Sequence, residues 1–228
     1  MKLTKVTRSV GSDAIALLGT LIISVIVVQS RHIPLAISFV QIVGLELLLQ
    51  AWPIATLRHD KHKHKVRDTH DRQVIFEIVS FGLVSAGLAY TNYLWFFTRH
   101  GFSAAYIDTT SQLYQQATTL TVLTLALCQA VHLIFVHVDA VDKLRLKLLF
   151  NNKELVQARV VTIFILLNLI YNPVFQAMFK TVSLDFIDWL SALLFAGLYS
   201  GLKLLQRHTR EHTRHTVINL HRELGKKL

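Results

Sequence analysis

Long apolar segments alternate with short polar ones along the whole chain. Six segments are almost free of charged residues, at positions 14–30, 33–57, 74–97, 113–137, 159–179 and 186–205. Each is long enough to cross a bilayer as an α-helix, which takes about 20 apolar residues. The pattern predicts an all-α integral membrane bundle of six transmembrane helices in residues 1–205. A basic amphipathic tail with apolar positions at helical spacing follows in residues 206–228.

The distribution of basic residues predicts the orientation of the six spans. The chain has 24 Lys and Arg against 14 Asp and Glu, a net charge of +10. Arg31, Arg99 and Lys180 are the basic residues of the first, third and fifth connections. The other 21 lie before the first span, in the second and fourth connections, or from the end of the sixth span onward, counting Arg159 at the start of the fifth span and Lys203 near the end of the sixth with these groups. This alternation follows the positive-inside rule and predicts a multi-pass protein of the cell membrane with both termini in the cytoplasm. It also favours the lipid bilayer, and not nucleic acid, as the partner of the positive charge.

Glu46 is the clearest candidate for a functional residue inside the bilayer. It lies at the middle of the second predicted span, and Gln50 follows four residues later on the same helical face. A charge at that depth costs about 2.5–3.5 kcal/mol on insertion scales, so an ionisable group there indicates function or a specific partner. Two interpretations stay open: a cation ligand, or a protonated carboxyl that hydrogen-bonds across the bundle.

Other polar residues of the predicted spans have structural alternatives. Gln129 and His132 share a face of the fourth span, where a hydrogen-bonded packing role competes with ligation. Asp13 precedes the first span, where a carboxylate also stabilises the helix dipole. Asn172 and Pro173 predict a kink in the fifth span. The histidine-containing stretch 58–72 is interleaved with lysines, which favours a lipid-facing loop over a metal site.

Motifs for soluble catalysis are lacking from the sequence. It contains no Asp-Lys-Thr-Gly phosphorylation motif, no glycine-rich phosphate loop and no cysteine pair with metal-ligand spacing. Its polar stretches have the lengths of loops and not of folding units. We therefore expect no cofactor beyond a possible bound cation, and no ATP hydrolysis by this chain alone.

Several short motifs resemble the C-terminal membrane half of type II P-type cation-transporting ATPases, the group that contains the sarcoplasmic-reticulum calcium pump. PLAISFVQIVGLELLLQAWPIATL resembles their sixth membrane helix, with Gln41, Leu47 and Pro53 at matching positions. QATTLTVLTLALCQAVH resembles the eighth helix, KLLFNNK the turn before the ninth, and FKTVSLDFIDWLSALL the entry to the tenth. The resemblance covers nearly the whole chain, as the fifth to tenth helices in order.

The resemblance implies a set of cation ligands. Glu46 and Gln50 occupy the ligand positions of the sixth helix, and Gln129 that of the eighth. The fifth-helix glutamate of the family falls near Ser12 or Asp13. A calcium site takes six to eight oxygens with several carboxylates, and Gln50 stands where the family has an essential aspartate, so the donor set differs from that of a calcium pump.

The resemblance also implies a function and a partner. The first four membrane helices and the soluble catalytic domains of the pumps have no counterpart here. We therefore expect the membrane component of a P-type cation-transport system, which supports or lines a cation pathway while a separate chain carries the catalytic domains. The alternative is a membrane scaffold or interaction protein derived from that domain. A proton-linked carrier using Glu46 would be expected to show an internal repeat, which we do not find.

Overall fold

The structure, a computed structural model, describes residues 35–37, 41, 71–102, 107–139 and 153–224. Side chains are described within 35–37, 41, 79–102, 107–132, 135, 157, 160–207 and 209. In these ranges the secondary structure is helical, with no strand. The helices are α1 (Asp71–Arg99), α2 (Gln112–Asp139), α3 (Lys153–Tyr171), α4 (Pro173–Phe179) and α5 (Phe186–Leu224).

Helices α1 and α2 form an antiparallel pair, and α5 packs along both of them. The end of the bundle at the α1–α2 connection is called the outer end here, and the opposite end the inner end. In this connection the backbone N–H of Thr110 donates to Asp108 and holds the pKa of that exposed carboxyl below its usual value. Ser111 then caps α2, because its Oγ accepts from the N–H of Tyr114 at 3.2 Å.

A proline breaks the predicted fifth span into α3 and α4. Pro173 has no N–H for the helix and keeps the preceding residue out of the helical region, so Asn172 is extended at φ −83° and ψ 122°. The Asn172 side chain accepts from the N–H of Val174 at 3.0 Å and thereby starts α4. The two helices meet at 79°. The kink predicted at Asn172 and Pro173 is confirmed.

Helix α5 is continuous over 39 residues, which corresponds to about 58 Å. At its start Asp188 accepts from the N–H of Asp185 at 3.2 Å, a contact that reaches back across the first turn. Of the residues described, the segment Phe186–Arg207 alone is a single helix with the length and hydropathy of a membrane span. The bent pair Val160–Tyr171 and Pro173–Phe179 meets the same criteria together.

The buried core lies where α1, α2 and α5 meet, and it contains aromatic side chains from α1, leucines from α2 and small residues from α5. Large apolar side chains also lie on the outside of α3 and α5, for example Phe164, which is 65% exposed, and Phe186, which is 80% exposed. Outward-facing apolar side chains of this kind are typical of helices in contact with lipid. The all-helical prediction is confirmed for the described ranges. They contain the predicted third to sixth spans, whereas nearly all of the first two spans lies outside them.

Candidate functional site

Three polar contacts at three depths join α1, α2 and α5 pairwise. At the middle depth Asn92 of α1, which is fully buried, donates from Nδ2 to Thr124 Oγ1 of α2 at 2.8 Å. Thr124 in turn donates to the carbonyl of Leu120 at 2.8 Å. The Oδ1 atom of Asn92 is buried and has no hydrogen-bond partner in the described part of the chain. The contact therefore satisfies the amide nitrogen of Asn92 and leaves its oxygen without a described partner.

The innermost contact joins α2 to α5. His132 Nδ1 lies 2.9 Å from the hydroxyl of Tyr199, and both side chains are buried. The His132 ring also stacks on Phe81 of α1, with ring centroids 3.9 Å apart and an angle of 18° between the planes. Tyr199 meets Phe81 edge to face at 5.3 Å. These contacts agree with the packing interpretation of His132.

The outermost contact is an ion pair between α1 and α5. Arg99, in the last turn of α1, donates to Oδ1 of Asp188 in the first turn of α5. Asp188 is 2% exposed and Arg99 is 25% exposed, so the carboxylate is the deeply buried partner. The guanidinium also lies over the ring of Phe96, 5.6 Å from its centroid.

Residues at the start of the second predicted span form hydrogen bonds with α2 and with the connection that follows α4. Gln41 is 2% exposed and donates from Nε2 to Thr118 Oγ1 at 3.2 Å and to the carbonyl of Lys180 at 3.3 Å. Lys180 has a positive φ of 51° and caps α4. Nearby, the hydroxyl of Tyr114 donates to the carbonyl of Leu35 at 2.8 Å. The start of the second predicted span therefore lies against the outer half of α2.

Gln129 is the one predicted ligand whose side chain the structure describes. It is 5% exposed, and its Nε2 atom is buried with no hydrogen-bond partner among the described residues. Gln129 and Thr118 are 11 residues apart on α2, which puts them within about 20° of each other around the helix axis. Gln129 thus shares the face of α2 that Thr118 presents to Gln41. A half-turn of the terminal amide exchanges its nitrogen and oxygen, so this position can present either a donor or an acceptor.

The other three predicted ligands, Asp13, Glu46 and Gln50, lie outside the described residues. Among the side chains that the structure describes, no group of three His, Cys, Asp or Glu is placed to hold a metal ion. Sequence reasoning did not find the partners Asn92 and Thr124. The sequence nevertheless contains a signal for this contact, because a carboxamide such as Asn92 in the middle of an uncharged span requires a hydrogen-bond partner.

Comparison with known proteins places these features in a family. Residues 34–207 match the family model described as cation transporting ATPase, C-terminus. The chain therefore belongs to this family, the C-terminal membrane domain of P-type cation-transporting ATPases. A comparison with individually curated proteins finds no match.

Proposed function

We propose that this chain is the membrane component of a P-type cation-transport system, in which it lines or supports a cation pathway and leaves ATP hydrolysis to catalytic domains on a separate chain. The observation that carries the proposal is the family match combined with Gln129, whose buried Nε2 atom has no hydrogen-bond partner among the described residues. Gln129 lies on the same face of α2 as Thr118, which contacts Gln41 of the second predicted span. A transport pathway needs polar groups that protein contacts have not already satisfied.

The polar content of α1 and α2 is compatible with a bilayer. Residues 78–98 and 109–138 contain no Asp, Glu, Lys or Arg. The threonines of α2 are satisfied within the helix, because Thr119, Thr121 and Thr124 each donate to the carbonyl four residues earlier, at 2.7, 3.0 and 2.8 Å. Such internal bonds lower the cost of hydroxyl groups in lipid. They support the proposal that six helices span the membrane, with both termini in the cytoplasm.

The proposed ligands are Glu46, Gln50, Gln129 and Asp13, which would offer carboxylate and amide oxygens. Oxygen ligands of this kind suit hard cations such as calcium, magnesium or sodium. Two carboxylates and two amides carry less negative charge than a high-affinity calcium site, so we expect weaker binding than in a calcium pump.

Thermal unfolding of the purified chain in detergent, with and without each cation, tests the proposal. A cation at 100 times its Kd adds about 2.7 kcal/mol of stability. For a chain of this size that raises Tm by roughly 5–11 °C. Glu46→Gln and Gln129→Leu should each reduce this shift. The matched control is Gln116→Leu, since Gln116 lies on the opposite side of α2, about 140° from Gln129.

Two results would contradict the proposal. A wild-type chain that shows no shift with any of calcium, magnesium, manganese or sodium has no cation site. A shift that Glu46→Gln and Gln129→Leu leave intact does not arise from the proposed ligands. Either result would favour the alternative, a membrane scaffold that keeps the helices of the family.

A further inference from the structure

Helix α4 does not continue the direction of α3. The 19 residues of α3, Lys153–Tyr171, are about 28 Å long, close to the ~30 Å hydrocarbon thickness of a bilayer. Helix α4, Pro173–Phe179, meets α3 at 79°. Membrane spans are tilted from the bilayer normal by about 20° on average. A helix nearly perpendicular to such a span therefore runs close to parallel with the membrane surface.

Side-chain hydrogen bonds hold α4 at this angle. In an unbroken helix the carbonyls of Leu169 and Ile170 would accept from the N–H groups of residues 173 and 174. Residue 173 is a proline without an N–H, and the N–H of residue 174 already donates to the cap Asn172. Instead, Gln176 Nε2 donates to the carbonyl of Ile170, and Thr181 Oγ1 donates to that of Leu169. Both carbonyls are satisfied within the protein, which stabilises the break at its observed angle.

Aromatic side chains with polar groups mark the depth at which α4 begins. Trp189, in the first turn of α5, donates from Nε1 to the hydroxyl of Tyr171 at 2.8 Å. Tyr171 is the last residue of α3 and donates in turn to the carbonyl of Leu184 at 3.0 Å. Trp95 is 55% exposed one turn before Arg99, the end of α1. Tryptophan and tyrosine are enriched at the interface between membrane and water, so α4 starts at the level expected for the outer interface.

Helix α4 contains no charged residue and has apolar side chains on two faces. Phe175 and Phe179 pack against the core, with their rings stacked at a centroid distance of 6.2 Å. On the other face Val174 and Met178, one turn apart, are 64% and 60% exposed, and Ala177 is also exposed. An exposed apolar face next to interfacial aromatic residues fits the boundary between headgroups and acyl chains better than water.

We propose that α4 is an interfacial helix of the outer leaflet, with Val174, Ala177 and Met178 seated in lipid at the boundary between headgroups and acyl chains. The fifth span is then formed by α3 alone, and residues 173–179 lie along the membrane surface. Phe186 and Ile187 at the start of α5 are likewise apolar and 80% and 59% exposed. Outward-facing apolar residues on two helices at this end fit a lipid environment better than a single protein partner.

The inference rests on one part of the proposed function, that α3 and α5 cross a bilayer, and it does not depend on the cation pathway. Loss of a cation site would leave it unchanged. Its test must therefore measure the depth of α4 and the depth of a span separately.

Nitroxide labels on single introduced cysteines measure both depths in the full chain reconstituted into phosphatidylcholine vesicles. Depth is obtained from the accessibility of each label to oxygen relative to a water-soluble nickel chelate. Cys128 is the one cysteine of the chain and is fully buried, so the wild-type chain serves as the blank for labelling. Val174→Cys and Met178→Cys place labels on the exposed face of α4, where a new side chain should not disturb the core.

The angle of α4 sets the expected result. Four residues of helix rise about 6 Å, of which an angle of 79° projects only about 1 Å onto the axis of α3. With α3 tilted by about 20°, the projection onto the bilayer normal is at most about 3 Å. We therefore expect the labels at Val174 and Met178 to differ in depth by no more than about 3 Å. Both should lie within about 10 Å of the headgroup level.

Two reference positions calibrate the depth scale. Leu198, 50% exposed on α5, is nine residues beyond Trp189, so the label of Leu198→Cys should lie about 13 Å deeper than the interface. Asp108→Cys places a label on the exposed α1–α2 connection, which should report water.

Three results would overturn the inference. Labels on α4 as deep as Leu198→Cys would make α4 part of a broken span, and labels as accessible to the nickel chelate as Asp108→Cys would place its exposed face in water. A depth difference of 5–6 Å between Val174→Cys and Met178→Cys, the full rise of about one turn, would show that α4 runs across the bilayer. A Leu198→Cys label outside the hydrocarbon would instead refute the proposed span of α5, and the interfacial helix with it.

Discussion

The ion pair between Arg99 and Asp188 should respond unequally to loss of its two partners. Asp188 is 2% exposed, whereas Arg99 is 25% exposed and lies at the outer end of α1. Arg99→Ala leaves a buried carboxylate whose remaining donor among the described residues is the N–H of Asp185. Asp188→Asn removes the charge, keeps an acceptor for that N–H, and leaves an arginine with access to water. We therefore expect Arg99→Ala to be the more destabilising change.

The expected magnitudes follow from this difference in burial. Removing one partner of a buried ion pair costs about 3–5 kcal/mol, and partial exposure of Arg99 places this pair at the lower limit, about 3 kcal/mol. Asp188→Asn loses a hydrogen bond without stranding a charge, which costs about 1 kcal/mol. At 2–4 °C per kcal/mol for a chain of this size, Arg99→Ala should lower Tm by about 6–12 °C. Asp188→Asn should lower it by about 2–4 °C.

Thermal unfolding of the full chain in detergent micelles measures both losses. Asp108→Asn is the matched control, because it makes the same substitution at an exposed carboxyl in the α1–α2 connection. A surface change of this kind should alter stability by no more than about 0.5 kcal/mol. Equal losses for Arg99→Ala and Asp188→Asn, or a larger loss for Asp188→Asn, would show that the buried carboxylate does not dominate the pair.

Three further predictions concern packing, topology and the helix break. Thr124→Val should lower the unfolding free energy by about 1–2 kcal/mol, because it leaves the amide of Asn92 without its acceptor, whereas Asn92→Leu removes the whole amide and should cost less. Thermal unfolding of both variants checks this order. Reporter fusions after Leu228 should report the cytoplasm and fusions near Gly101 the opposite side, and a reversed signal would contradict the six-span topology. Asn172→Ala should destabilise the chain by about 1 kcal/mol through loss of the α4 cap, and an unchanged Tm would show that Pro173 alone fixes the break.

The sequence predicted the helices of the described ranges because long uncharged apolar runs leave few alternatives to a helix. Uncharged runs marked α1, α2 and α5, and Pro173 marked the break because a proline removes a helical hydrogen bond wherever it stands inside a helix. These are properties of single segments. They need no knowledge of which helices are neighbours.

The partners of polar residues were harder to predict because they depend on the relative rotation of the helices. The sequence left packing and ligation open for His132, and its hydrogen-bond partner Tyr199 is 67 residues away on α5. In the sequence, Arg99 served only to predict the orientation of the spans. Its ion-pair partner Asp188 is 89 residues away in the chain. Pairing of this kind is fixed by helix packing, and a single sequence carries no direct record of it.

Polar contacts join α1, α2 and α5 into one three-helix unit. Helices α1, α2 and α5 are held together at three depths, by Arg99–Asp188, Asn92–Thr124 and His132–Tyr199. A relative rotation of any of these helices would break at least one contact and leave a buried polar group without a partner, which costs about 1–3 kcal/mol for each neutral group.

The second predicted span meets this three-helix unit through hydrogen bonds near its start. Gln41 contacts Thr118 on the face of α2 that also carries Gln129. A cation pathway that includes Gln129 would therefore have one fixed wall, formed by α2 within the three-helix unit. Movement during transport would then have to come from the helices that face this wall, because α2 cannot turn without loss of its contacts to α1 and α5. This argument assigns the three-helix unit the role of a rigid support in the proposed transport system.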